Sequence, residues 1–282
     1  MQVISYTDPD AFRERTRVFL EQEEAFNNLP LGIIGRLGTA AADSPNPFLA
    51  TVEEDSGLAL VALMTPPRRL ILYSDRGAPQ GALAALVDYL KESDWPIPGT
   101  LGPVATARAF VQVWKQRTGR DYRIHMNMRV YQLTAVEHRG CASGHLRPVR
   151  AEDREGVIEW MRAFNVAVGE EIGNQEDLLR RSVECRIEQQ TLFLWEDGKP
   201  VSMAGQSRPT RHGMVINAVY TPPEFRHRGY ATACVAGLSQ QLLDRGRRFC
   251  ALFTDLANPT SNRIYQRIGY RPLGDYVDYA FV

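Results

Sequence analysis

The sequence has no surplus charge: 33 basic side chains stand against 33 acidic ones in 282 residues. That balance argues against the basic footprint of a nucleic-acid partner. Long apolar runs are lacking too. The longest, near Leu58–Met64, is far short of the roughly 20 residues that span a bilayer, so no membrane partner is expected. The segment Met1–Asp10 has neither the basic start nor the apolar core of a secretory signal. Cysteine is scarce, and Cys141, Cys185, Cys234 and Cys250 are widely spaced, with no Cys-x-x-Cys pair. They read as reduced, mostly buried thiols, and neither a disulfide framework nor a metal site is expected. With 44% hydrophobic and 23% charged residues, the simplest reading is a cytoplasmic globular protein.

What is present is a loop. Arg226-His227-Arg228-Gly229-Tyr230-Ala231 follows the apolar run Met214–Tyr220 and the turn Thr221-Pro222-Pro223, and it opens a long amphipathic segment. In that segment Ala231, Cys234, Val235, Leu238 and Leu242 recur at helical spacing. The order strand, turn, glycine loop, helix aims the free N–H groups of a helix start at one spot, and such a spot binds phosphate.

The second half reads as a strand over His145–Val149 and helices over Ala151–Val168 and Gln175–Gln190. Strands follow over Thr191–Glu196 and Pro200–Ser207, turning at Asp197-Gly198. Next come the strand Met214–Tyr220, the helix after the glycine loop ending near Gly246, the strand Phe249–Thr254 and the helix Pro259–Ile268. Two last strands are expected within Tyr270–Val282, giving the order βααβββαβαββ.

The first half is less legible. Asp10–Asn27 is expected to be helical. Pro47–Glu54 and Leu58–Met64 form a hairpin at Asp55-Ser56-Gly57, Arg69–Ser74 is a strand, and Gly81–Glu92 and Val104–Arg117 are helices. Arg123–Val136 supplies one long strand or two. This is a worn copy of the second half's order. Its corresponding loop, Asp75–Gly81, lacks the glycine spacing, and Pro79 removes a donor. Thr65-Pro66-Pro67 echoes Thr221-Pro222-Pro223 but leads into a strand, so the echo is read as coincidence. Residues 139–148 read as a linker, placing the domains at 1–140 and 141–282.

A second motif gives the loop its context: Asn258-x-x-Ser261-x-x-Ile264-Tyr265-x-x-x-Gly269-Tyr270. With it, residues 145–282 resemble the GCN5-related N-acetyltransferase (GNAT) family, which uses acetyl-CoA. That family's phosphate loop, (Arg/Gln)-x-x-Gly-x-(Gly/Ala), is matched by Arg226, Gly229 and Ala231. Its later signature, Asn-x-x-Ala-x-x-Leu-Tyr-x-x-x-Gly-Phe, stands here with Ser261 for Ala, Ile264 for Leu and Tyr270 for Phe. The resemblance implies an α/β fold: tandem GNAT-like domains on a twisted mixed sheet flanked by helices, the first domain degenerate and acting as a scaffold.

The resemblance also implies roles. Acetyl-CoA is the co-substrate. N–H groups from Arg228 through Gly229, Tyr230 and Ala231 to Thr232 hold the pyrophosphate, with Arg226, His227 and Arg228 in the loop. The edge of Ala218, Val219 and Tyr220 pairs with the pantetheine arm. Asn258 either caps the helix that Pro259 starts or also faces CoA, and Ser261 lies one turn on. Tyr265 is expected to protonate the leaving thiolate; the alternative is that it packs beneath the last strand. No general base is legible: His212 is also read as a solvent-exposed loop residue, Asn217 cannot act as a base, and Glu224 belongs to the phosphate turn, while Glu170 and Glu171 lie where this family's acceptor site is lined and either attract a cationic amine or form a solvated acidic loop.

The leading function is therefore transfer of an acetyl group to a primary amine of a small molecule or peptide, by direct attack on the thioester. The alternative is a non-enzymatic acyl-CoA sensor or scaffold. A monomer or homodimer is expected.

Overall fold

The computed structural model describes residues 1–37, 45–93, 95–138, 140–169 and 176–282. The chain divides into two compact units. Met1–Val130, Phe253–Asn258 and Pro272–Val282 make one; Tyr131–Leu252 and Pro259–Arg271 make the other. The division does not follow the linear boundary expected at 140/141.

The first unit starts with β1 (Gln2–Ser5), α1 (Pro9–Glu21), α2 (Asn28–Ile34), β2 (Phe48–Glu54), β3 (Gly57–Met64) and β4 (Leu70–Tyr73). It continues with α3 (Gln80–Glu92), β5 (Gly99–Pro103), α4 (Val104–Thr118) and β6 (Tyr122–Leu133), the last of which runs on into the second unit. Asp8 caps α1 by accepting from Asp10 N at 2.9 Å, and Pro9 takes the first helical position. Strands β1 to β4 pair antiparallel in sequence order, and β5 lies parallel to β4. Helices α3 and α4 cover one face of this sheet with Leu83, Leu86, Phe110 and Trp114. Phe12, Leu20 and Ile34 of α1 and α2 cover the other.

The second unit repeats the order. It holds β7 (His145–Pro148), α5 (Arg154–Ala167), α6 (Glu176–Glu188), β8 (Leu192–Glu196), β9 (Pro200–Ser207) and β10 (Gly213–Tyr220). Then come α7 (Tyr230–Asp244), β11 (Phe249–Asp255), whose residues from Phe253 on count with the first unit, α8 (Pro259–Ile268) and β12 (Arg271–Phe281), of which only Arg271 counts with the second. Strands β7 to β10 pair antiparallel in sequence order, and β11 lies parallel to β10. Helices α7 and α8 pack on one face through Cys234, Leu238, Tyr265 and Ile268. Helices α5 and α6 pack on the other through Val157, Met161, Leu179 and Val183. Each unit is thus a mixed sheet with a pair of helices on each face, the α/β architecture expected.

Several expectations change. Tyr270–Val282 carries one strand, β12, in place of two, because the chain stays extended from Arg271 to Phe281 and does not turn at its turn signals Pro272 and Gly274-Asp275. Most of β12 belongs to the first unit, where Tyr276–Ala280 pair antiparallel with Gly99–Pro103. Segment 123–136 contributes one strand. Helix α2 is not announced by its sequence, which contains Pro30 and Gly32. The proline sits in the first turn, where its missing N–H leaves no bond unmade. Strands β1 and β5 are short and escape periodicity. Of the thiols only Cys234 and Cys250 are buried, and Cys141 and Cys185 are exposed. The Pro-Pro echo falls after β3 in one unit and after β10 in the other, positions that do not correspond.

Candidate active site

Strand β10 changes partners part-way along. It pairs with β11 only over Gly213–Val215 against Phe249–Ala251, and among the described residues the ladder goes no further. On its other side it stays with β9, through Asn217↔Gly205 and, after a register shift, Tyr220↔Met203. The shift is a bulge at Ala218, whose φ of 51° lies in the left-handed region. Asn217 and Ala218 consequently turn to the same face, toward α5 and α6. The edge of β10 past Val215 therefore has backbone groups with no strand opposite them.

The chain then turns through Pro223–Phe225 and enters the glycine loop. His227 has φ 63° and Gly229 has φ 83°. Gly229 is the N-cap of α7, and no side chain caps the helix. The first helical bond runs from Ala233 N to Gly229 O, 3.0 Å, so the N–H groups before it lack intrahelical partners. Among the described residues, a Cβ added to Gly229 would meet only Ala142 Cβ, at 3.8 Å. The glycine is required by its φ, and the space beside it is open. Arg226, His227 and Arg228 are exposed. This open, uncapped helix start fits a pyrophosphate.

On the other helix of that face, Tyr265 is buried, 7% exposed, between Tyr131 (ring centroids 6.5 Å apart) and Tyr270 (5.9 Å). Burial alone raises its pKa above that of an ordinary phenol, so it keeps its proton at neutral pH. The Tyr131 hydroxyl donates to Asn262 Oδ1 and accepts from Gln266 Nε2, both at 3.1 Å, fixing that side of α8.

A family model described as "Acetyltransferase (GNAT) family" matches residues 154–270. Residues 154–270 form an acetyltransferase domain of the GNAT family. Solved structures extend the likeness to the whole chain. A GCN5-related N-acetyltransferase from Sphaerobacter thermophilus is 18% identical, with TM-score 0.65, over 98% of this chain and 94% of that one. A GNAT-family acetyltransferase from Colwellia psychrerythraea is 13% identical, with TM-score 0.59, over 100% and 99%. A tandem GNAT protein from the clavulanic acid biosynthesis pathway is 11% identical, with TM-score 0.55, over 100% and 98%. At these identities the likeness is one of fold, and the N-terminal half is compatible with a second GNAT-like domain. No curated protein matches the chain. The chain thus carries an acyltransferase domain, the GNAT domain.

Within the GNAT domain, Ala218, Val219 and Tyr220 lie on the freed stretch of β10 and Gly229 to Thr232 at the start of α7. Two side chains are spoken for. Tyr230 Oη donates to Asp197 Oδ2 at 2.7 Å, so its phenol anchors the helix to the β8–β9 turn. Arg226 Nε donates back to Thr221 O at 3.0 Å. Ser261 is half-buried on α8, one turn before Tyr265. Asn258, counted with the first unit, is exposed and donates its backbone N–H to Asp255 O at 3.1 Å.

Among the base candidates, His212 precedes β10 at the end opposite the bulge, roughly 20 Å from Ala218 at about 3.4 Å per residue. Glu224 is exposed in the turn. Glu170 and Glu171 lie outside the described residues. Asn217 is held by Arg186 Nη2 at 2.9 Å.

Arg186 is the residue that sequence reasoning missed. Its signal is an arginine on the apolar stripe of α6, at i+7 from Leu179 and i+3 from Val183, the buried pair of that helix. In the first unit the turn before α3 has Pro79 at its N-cap. Arg76 there pairs with Glu54 at 2.6 Å, and the Thr106 hydroxyl donates to Gly77 O.

Proposed function

We propose that this protein transfers an acetyl group from acetyl-CoA to a primary amine, using the GNAT domain alone. The observation that carries the proposal is the departure of β10 from β11 at Val215, followed further along the chain by the uncapped, left-handed Gly229. One feature offers an extended ligand a strand edge, and the next offers its phosphates a helix start.

In this reading the N–H groups of Arg228 to Thr232 hold the pyrophosphate, and the arginines beside them add positive charge. The Ala218–Tyr220 edge hydrogen-bonds the pantetheine arm and presents donors to the thioester carbonyl. Acetyl-CoA supplies the activated acyl group. The neutral amine attacks the carbonyl carbon; the C–N bond forms, the C–S bond breaks, and the amine's proton leaves to water. Tyr265, a phenol that carries its proton at neutral pH, donates it to the departing sulfur. Fixing both reactants on one scaffold supplies much of the acceleration.

The test follows free-thiol release from acetyl-CoA across a broad amine panel, with CoA affinity measured alongside. Amine-dependent thiol release together with CoA binding supports the proposal. CoA binding with no transfer to any amine overturns it in favour of a sensor or scaffold role.

A further inference from the structure

Arg186 lies half-buried on the face of α6 that packs against the sheet. Its Nη2 donates to Asn217 Oδ1 at 2.9 Å. Room for it is made by Gly205, the residue of β9 opposite Asn217: a Cβ there would collide with Arg186 Nη2. A glycine inside a strand commonly marks such a close approach.

Among the described residues, the guanidinium differs from its neighbours in having no counter-charge. On the same two helices Arg162 meets Glu176 at 2.7 Å, Arg180 meets Glu155 at 3.0 Å, and Arg154 meets Glu184 at 3.4 Å. Among the described residues no carboxylate pairs with Arg186, and burial alone pushes its pKa down to about 10. A cation kept out of water without a partner is costly, and an anion that arrives is bound correspondingly well. The chemistry of the pair is also one-sided. With Oδ1 of Asn217 engaged, its Nδ2 hydrogens and the remaining guanidinium N–H groups are all donors. A carboxylate satisfies such a set in a fork; an ammonium is repelled by it. The location completes the argument, because Asn217 immediately precedes Ala218, where β10 bulges and its edge is freed.

We infer that the amine acetylated here carries a carboxylate close to its nitrogen, as a free amino acid does, and that Arg186 together with Asn217 binds that carboxylate. The inference rests on the acetyl transfer proposed above and names its substrate class. Arg186 is a specificity residue: it sets which amines dock and takes no part in the proton transfers.

The experiment compares free amino acids with the matching amino-acid amides and with putrescine as acceptors, in the wild-type protein, Arg186→Met and Arg186→Lys. A further variant, Gly205→Ala, displaces the guanidinium without removing it. Thiol release gives kcat and KM, and CoA affinity is measured separately. The wild type is expected to prefer an acid over its amide by about tenfold or more in kcat/KM, a discrimination typical of a desolvated charge contact. Arg186→Met and Gly205→Ala should lose that preference through KM with CoA affinity unchanged, and Arg186→Lys should keep part of it. Equal use of acids, amides and putrescine by the wild type, or an unchanged preference in Arg186→Met, overturns the inference while leaving acetyl transfer intact. Should no amine be turned over, thermal stabilisation of the CoA-bound protein decides. Stabilisation by free amino acids but not by amides, lost in Arg186→Met, supports the carboxylate site; no difference between acids and amides overturns it.

Discussion

Tyr230 Oη and Asp197 Oδ2 are 2.7 Å apart, and the contact ties the first residue of α7 to the β8–β9 turn. Asp197 also accepts from Ser143 Oγ at 2.7 Å, and these two hydrogen bonds, Tyr230's first, lower its pKa. The side chain that follows Gly229 thus aims the helix. Tyr230→Phe is expected to weaken CoA binding by about three- to tenfold, the size of one lost hydrogen bond, with turnover at saturating CoA unchanged. Titration calorimetry with CoA and steady-state kinetics check both halves.

Tyr265→Phe removes one hydroxyl from a buried ring and leaves the packing between Tyr131 and Tyr270 in place. Turnover should fall by about 100-fold or more, as for loss of a positioned general acid, with CoA affinity retained. Unchanged turnover would return Tyr265 to a packing role.

Gly229 separates two effects. The space around it is open, so Gly229→Ala should cost the ligand-free protein only the strain of a left-handed residue, about 1–2 kcal/mol, read from urea unfolding. Gly229→Glu adds bulk and negative charge where the pyrophosphate is expected and should abolish CoA binding. Retained affinity in Gly229→Glu would remove the loop from the CoA site.

Arg147 and Asp153 form a buried pair, 2.6 Å apart with side chains 8% and 9% exposed. Arg147→Met takes the guanidinium from the carboxylates of both Asp153, which keeps the Arg150 N–H, and Glu196, and should destabilise the second unit by about 3–5 kcal/mol. The double variant Arg147→Met/Asp153→Leu should recover part of that loss in the same unfolding measurement.

Stability should fall at alkaline pH and by a definite route. Burial pushes the thiols of Cys234 and Cys250 up to about 12 and raises the phenols of Tyr265, Tyr270 and Tyr276. The unfolded thiols lose their protons near pH 9 and the phenols near pH 10. Above those values the folded chain binds more protons than the unfolded one, so each group removes about 1.4 kcal/mol per pH unit. The contribution is fully present below pH 9. Unfolding midpoints followed from about pH 8 to about pH 11 should decline progressively, and the buried phenols should ionise only as the protein unfolds.

Sequence periodicity made the second half legible because its helices carry clean apolar stripes and its turns carry glycine. Pro200–Ser207 and Pro259–Ile268 occupy the spans expected of them. Strand β5 escaped because Gly-Thr-Leu-Gly-Pro has no strand pattern; pairing with β4 and β12 makes it a strand. The glycine loop and the helix it opens could be read because their signal is local, a fixed spacing of glycine before a helix. The seat of Arg186 could not, since it joins an arginine of α6, an asparagine of β10 and the missing side chain of Gly205. Nothing in linear spacing announces that these three meet.

The pairing of β12 with β5 has a consequence for biosynthesis. Gly99–Pro103 is made early and Tyr276–Ala280 much later, after every element of the second unit. Domains usually fold in the order in which they emerge from the ribosome. Here the first unit is completed last, and until then one side of β5 stays without its strand. A chain arrested before residue 272 would hold all the residues of the acetyltransferase unit and an unfinished first one.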